Sequence, residues 1–437
     1  MPDRKGERAD AGPPLGPARA ATWRRQFGRI GPGLISGAAN DDPSCIVTFA
    51  MAGAAFGYLT LWTSLFALPL LAGVQLLCSR LGMVSGRGLV GAAREIFPRW
   101  ALVVLSLALV IANIVTLGAD LAGMGAVTAM IAGGPAFLWA PAYAVAVIVL
   151  LFRFPYRRIQ TVLRWLCVAL FAYIAAGLLS GPDWRQAAIG TLVPRIEWSG
   201  NYLAVLVAII GATVSPYFLF WQVAQETEEE YAAGRRTVAE RQGATAEELA
   251  QSRTDVIAGA FASKLITYFI TLTTAAALFE NGIRRIATAD DAAAALAPVA
   301  GPAASWLFAL GVIGTGMLAV PVLATSCAHA VAEVLNWPAS LERSPRVARG
   351  FYAVLAIAVL LGSGLAFVGF NPVDMLFWAS VGNGIVAVPS ILLVVRMARS
   401  RRAMGGQRSP RWLAAIGWAS AGIVAAGAVA LVVTLVL

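Results

Sequence analysis

The sequence predicts an all-α polytopic membrane protein built as two inverted five-helix repeats with an eleventh helix added. Three observations carry that prediction. Apolar residues form 59% of the 437-residue chain and charged residues 13%, with a mean hydropathy of +0.74. A soluble domain holds roughly 45–50% apolar and about 25% charged residues, so this excess requires lipid as solvent. The apolar runs are long and lack polar alternation, which is the pattern of spanning helices that satisfy their own backbone hydrogen bonds. Finally, 28 of the 33 Lys and Arg residues fall on one set of alternate loops, four (Arg185, Arg195, Arg284, Arg285) fall on the other, and Lys264 lies within a span. A bias of that size and regularity is the positive-inside signature.

The runs place spans near residues 30–52, 56–79, 101–131, 136–152, 160–180, 199–224, 255–280, 301–335, 349–370, 373–395 and 412–436. Spans 3 and 8 are long enough to tilt or to project beyond the bilayer. Residues 1–29 are rich in Arg, Pro and Ala and have no apolar core, so they read as a flexible cytoplasmic arm rather than a cleaved signal. The arginine distribution puts the amino terminus inside and the carboxyl terminus outside, in a cytoplasmic membrane of bacterial type.

The net charge of +10 does not mark a nucleic-acid partner, because the arginines sit in short stretches between apolar runs. The cysteines (Cys45, Cys78, Cys167, Cys327) are far apart, and His329 is the only histidine, so neither a zinc site nor a disulfide framework is readable. No nucleophile–base pair, HExxH helix or Walker loop is present, which argues against an enzyme. Oligomeric state is not legible.

Two spans contain what a continuous membrane helix avoids. Span 1 carries Gly37-Ala38-Ala39-Asn40-Asp41-Asp42-Pro43-Ser44-Cys45, with two carboxylates and a proline near mid-membrane. Span 6 carries Gly211-Ala212-Thr213-Val214-Ser215-Pro216-Tyr217. Each proline lacks an amide hydrogen and disfavours helix at the residue before it, so Pro43 and Pro216 predict unwinding. Unwinding frees carbonyls at the end of one half-helix and amides at the start of the next. The breaks fall in spans 1 and 6, matching places in two five-span halves, 30–180 and 199–395. Five is odd, so the halves are inverted, and paired interrupted helices point to a transporter site between them. The span at 412–436 is then peripheral. A charge inside a span costs about 3 kcal/mol even on the lenient insertion scale, which singles out Asp42.

The residues also resemble a known family. Gly31-Pro32-Gly33-Leu34-Ile35-Ser36-Gly37, then Asp42-Pro43 and Phe56-Gly57-Tyr58, resemble the first two spans of the Nramp divalent-metal transporters. Asp120-Leu121-Ala122 on span 3, Ser215-Pro216-Tyr217 on span 6 and Asn383-Gly384 on span 10 extend the resemblance over about residues 28–400. It implies a LeuT-type inverted-repeat fold, alternating access, and a divalent cation such as manganese, magnesium or iron carried as cargo between the breaks, with no resident cofactor.

The departures redefine that site. Where the family pattern reads Asp-Pro-Gly-Asn, this chain reads Asp42-Pro43-Ser44-Cys45, and Met-Pro-His becomes Ser215-Pro216-Tyr217. The glutamate of Asp-Leu-Ala-Glu is Gly123. Losing the thioether removes a soft ligand, and Ser215 offers a harder oxygen suited to magnesium, manganese or calcium. Cys45 pulls toward zinc or iron if it ionises, and is otherwise a small neutral residue at a helix start. Asp120, about 28 Å along its helix from the start of span 3 by the rise per residue, reads as an outer-half proton acceptor or second cation ligand. The alternative for it is a hydrogen bond to Thr116. Without the glutamate and histidine the family's proton route is broken, which argues for uniport-like movement.

The substrate set expected is therefore Asp42, Cys45, Thr213 and Ser215, with Asp41, Asp120 and Tyr217 behind it. Asp41 either shares the site or caps the second half-helix. Thr213 and Ser215 either line the cavity or bond back within their helix. Lys264 reads as a snorkelling residue near an inner helix end, His329 as a packing residue, and Glu226–Glu230 as a solvated helix. Two other functions stay open at this level: a transporter of the same fold for a small organic solute, and a membrane sensor without flux.

Overall fold

The computed structural model describes residues 41–154, 170–235, 237–341 and 343–436. The arm at 1–29, the first half of span 1 with Asn40, and most of span 5 with Cys167 lie outside the described residues. Among those described, all regular structure is helical.

α1 (Pro43–Phe56) is the second half of span 1. A short 3-10 turn, Gly57–Thr60, leads into α2 (Trp62–Ser85). The chain then forms α3 (Arg99–Ala132), α4 (Ala136–Arg153) and α5 (Ala172–Leu179), the last being the end of span 5. Span 6 is two helices, α6 (Gly200–Thr213) and α7 (Pro216–Ala232). α8 (Ala246–Thr274), α9 (Ala304–Leu335), α10 (Arg349–Leu365), α11 (Pro372–Arg399) and α12 (Arg411–Val436) complete the bundle. Nine helical stretches among the described residues are long and apolar enough to cross a membrane, and α10 is a shorter apolar helix beside them.

Proline alone does not break a helix here. Pro69, Pro141, Pro321 and Pro389 sit inside continuous helices. At the span 6 break, Val214 (φ −118°, ψ 62°) and Ser215 (φ −66°, ψ 132°) leave the helical region, and Pro216 opens α7 at its first position. Pro43 opens α1 in the same way, with extended Asp42 (φ −68°, ψ 170°) before it. A missing amide costs nothing at a helix start, so both prolines define starts as much as breaks.

α3 shows how one helix serves both lipid and site. Val104, Leu107, Ile111 and Val115 are exposed at intervals of three and four residues. Asn113, Thr116 and Asp120 recur on the opposite, buried face. α1 lies at the centre, packed on α3, α6, α8, α9 and α11, while α12 packs chiefly on α2, α6 and α11. α6 and α11 approach until a Cβ on Gly211 would stand 2.0 Å from the Ser380 carbonyl oxygen.

Several expected boundaries shift. α2 begins after the turn at Gly57 and runs on to Ser85, where Gly86 at φ +62° ends it. α8 starts at Ala246, nine residues before the expected 255, because Thr245 and Glu248 form a capping box ahead of the apolar run. The acidic run Glu226–Glu230 continues α7 instead of lying in a solvated helix. Glu228 accepts hydrogen bonds from the Ser340 hydroxyl (2.8 Å) and the Leu341 amide (2.9 Å). Arg235 joins Glu230 to Glu248.

The arginine-rich end is tied shut by such contacts. The Gly91 amide donates to Glu333 (2.9 Å), and Arg94 donates to the Glu333 and Val334 carbonyls. A cavity of about 340 Å³ at this end is lined by Arg94, Glu228, Arg241, His329 and Glu333 among others. A second, of about 350 Å³, opens at the opposite end beside Ala122, Phe137 and Phe370.

Candidate functional site

The breaks of spans 1 and 6 meet through Asp42 and Tyr217. Asp42 precedes the proline at the first position of α1, so it holds the N-cap position, and its Oδ1 accepts from the Cys45 amide (2.7 Å) and the Ser44 hydroxyl (2.6 Å). The Tyr217 hydroxyl, from the first turn of α7, donates to Asp42 Oδ2 (2.9 Å). Capping is thus the work of Asp42 and not of Asp41, which sits one residue too early for a helix that begins at Pro43.

Asp41 turns the other way. Its Oδ1 accepts from the Ser263 hydroxyl of α8 (2.7 Å) and from the Cys45 thiol (Sγ–O 3.5 Å). Its Oδ2 has no hydrogen-bond partner among the described residues. Cys45 therefore stands as a fully buried helix-start thiol that donates to a carboxylate.

Asp120 reaches the same place from α3. Its carboxylate faces the Ser44 amide and the Asp42 carboxylate, and neither oxygen closes a hydrogen bond among the described residues. Asp120 is the 22nd of the 34 residues of α3, past its midpoint, where α3 meets the start of α1. The Thr116 alternative fails: that hydroxyl donates to the Ala112 carbonyl (2.9 Å) and accepts from Asn383 Nδ2 (3.1 Å).

The span 6 hydroxyls are engaged locally. Ser215 donates back to the Gly211 carbonyl (2.8 Å), and Thr213 accepts from the Lys264 ammonium (3.0 Å). Lys264 does not snorkel. With α8 starting at Ala246, residue 264 falls mid-helix, 3% exposed, its ammonium 4.8 Å from the centre of the Phe49 ring and within electrostatic reach of Asp41. An ammonium in mid-span was itself a signal of function; the boundary nine residues late disguised it. Ser263 and Ser380, which bind Asp41 and the Ser44 carbonyl, carried no comparable signal. His329 packs edge-on against Phe351 (4.9 Å), as expected of a packing residue. Gly123, at the missing glutamate, faces Leu376.

Asp41, Asp42 and Asp120 are all at most 2% exposed, so the three carboxylates are buried. Among the described residues no group of three or more His, Cys, Asp or Glu side chains is disposed to hold a metal ion. A cation here would draw on Asp42 and Asp120, on carbonyls that the end of α6 leaves outside the helical ladder, and on water.

A helical, multi-pass membrane protein in which helices start at Pro43 and Pro216 after extended backbone, with buried acids where those starts meet, is a membrane transporter of the LeuT-type inverted-repeat fold. The sequence profile described as "Natural resistance-associated macrophage protein-like" matches residues 33–434, and the chain belongs to that family. Members of the family are transporters rather than enzymes. The chain is similar to the "Divalent metal cation transporter MntH" of Agrobacterium fabrum, 28% identical over 415 residues, covering 93% of this chain and 87% of the relative. The protein of the same name in Acidiphilium cryptum is 28% identical over 417 residues, covering 94% and 91%. Among solved structures, the Eremococcus coleocola manganese transporter in complex with an aromatic bis-isothiourea substituted compound superposes with a TM-score of 0.66 at 19% identity, over 96% of this chain and 88% of that one. MhsT in complex with L-phenylalanine superposes at 0.57 and 14% identity, over 94% and 98%. These likenesses establish the shared fold.

Proposed function

We propose that the protein carries a divalent metal ion across the membrane by alternating access, the ion held between Asp42 and Asp120 where α1 and α7 begin. The observation that carries this reading is the Asp120 carboxylate, buried opposite a second carboxylate with both oxygens unpartnered among the described residues. Two buried carboxylates facing each other, one of them with no hydrogen bond among the described residues, ask for a cation. The names of the two relatives support the same cargo.

The donors favour a hard ion such as magnesium or manganese. They are carboxylate and carbonyl oxygens, with neither thioether nor imidazole at the break, and the Cys45 thiol keeps its proton toward Asp41. Thr213 would contribute through its carbonyl, since its hydroxyl is engaged by Lys264, whereas Ser215 has its hydroxyl on the Gly211 carbonyl and its carbonyl on the Phe218 and Leu219 amides. Tyr217 would hold Asp42 in place. The chain has an apolar contact at Gly123 and a tyrosine at the second break, which supports movement of the metal without a coupled proton. An amino-acid-like substrate is disfavoured, because the Asp42 and Asp120 carboxylates at the start of α1 would repel its carboxylate.

The test is uptake of manganese, magnesium, calcium and zinc into liposomes holding the purified protein, with Asp42→Ala as control and internal pH recorded. Metal uptake that Asp42→Ala abolishes, with no pH change, is expected. Undiminished uptake by a well-folded Asp42→Ala protein would overturn the site.

A further inference from the structure

The two neighbouring aspartates open onto different sides of α1. Asp42 engages α7 through Tyr217 and faces Asp120 of α3, whereas Asp41 engages α8 through Ser263. Among the described residues, only the α8 side carries a positive group. Lys264, the residue after Ser263, bridges three elements: its ammonium donates to Thr213 at the end of α6, lies over the Phe49 ring of α1, and is carried by α8. One of its hydrogens is used on Thr213, while Asp41 nearby keeps an oxygen without a partner among the described residues.

We infer that Lys264 is a tethered cation occupying the Asp41 side of the site, so that the protein accepts one mobile cation, on the Asp42–Asp120 side, and needs no alkali co-ion. This rests on the reading of Asp42 and Asp120 as cargo ligands. The ammonium donates to Thr213 Oγ1, and within its electrostatic reach lies the Asp41 carboxylate with Ser263 Oγ hydrogen-bonded to it, hard oxygens from the elements that meet at the breaks. Such a set suits a small alkali cation once the lysine's charge is removed. A charged side chain persists in mid-span only where it faces the bundle interior and a partner, as this one does.

The test uses the full chain as wild type, Lys264→Met and the double variant Asp41→Asn/Lys264→Met. Thermal stability and manganese uptake are measured in sodium or lithium chloride and in choline chloride at equal ionic strength. Lys264→Met should gain a stabilisation by sodium or lithium and a several-fold alkali stimulation of uptake; wild type and the double variant should show neither. A Lys264→Met protein as indifferent to alkali ions as wild type would overturn the inference. If Lys264→Met does not assemble, recovery in the double variant supports the pairing, and equal failure of both variants refutes it. A wild type that moves no metal, while Lys264→Met still answers to sodium in the stability assay, would fault the cargo reading alone.

Discussion

At the scale of single residues, the site sets function against stability. Asp120 is a buried carboxylate without a donor among the described residues and with Asp42 facing it, an arrangement that costs free energy until a cation arrives. Asp120→Asn should therefore raise the thermal midpoint of the metal-free protein while weakening metal binding about tenfold or more, which corresponds to roughly 1.4 kcal/mol. Thermal unfolding and calorimetric titration of the same preparation check both directions, and a fall in stability would count against the reading. Ser215 and Cys45 make the opposite case. The hydroxyl of Ser215 serves the Gly211 carbonyl and the thiol of Cys45 serves Asp41. Ser215→Ala and Cys45→Ala should each leave uptake within about twofold, the scale expected for losing one weak or local hydrogen bond. A tenfold loss in Cys45→Ala would restore the thiol as a ligand. Asp42 was legible in the sequence because buried charge beside a proline is rare; the tasks of Asp41 and Lys264 were not, because they depend on which helix each side chain meets.

At the scale of elements, the close approach of α6 and α11 holds the broken span in position. Gly211 has the Ser380 carbonyl and the Gly384 backbone against it, and backbone cannot move aside as a flexible side chain can. Small residues at such crossings allow helices in lipid to gain packing contacts. Gly211→Ala should prevent proper docking of α6, at a cost of about 3 kcal/mol or more as expected for overpacking. Size-exclusion chromatography of the detergent-solubilised variant reads the loss, and a monodisperse protein of wild-type stability would refute it. The helical content and order were readable from apolar run length. Helix ends were less so: α8 begins in a polar stretch whose capping box, Thr245 with Glu248, outweighs hydropathy, and α7 carries its acidic run into the arginine-rich end as continuous helix.

For the whole molecule, the described conformation buries the three aspartates. The contacts of Glu333 with Gly91 and of Arg94 with the end of α9 tie the arginine-rich side. Glu333→Ala removes a carboxylate that holds the loop between α2 and α3, and should shift the population toward opening at that end. Labelling of buried Cys45 by a small thiol reagent should then rise about tenfold, the change produced by about 1.4 kcal/mol in a two-state equilibrium. No change would mean that the closure rests elsewhere. The charge bias further predicts that a tag on the carboxyl terminus is reached from outside the cell and one on the amino terminus is not. Protease access to the two tags in intact cells decides it.

The sequence by itself determined the membrane class, the long apolar helices and the break at Pro216, because run length and proline chemistry act locally along the chain. It also marked Asp42, Asp120 and Tyr217 as residues of interest. Only the tertiary structure decided that Tyr217 bonds to Asp42, that Asp120 lies level with the start of α1, and that Lys264 stands inside the site rather than at its margin. Those facts follow from the packing of α1 against α3, α6 and α8, and contacts between residues far apart in the chain leave no mark in local composition.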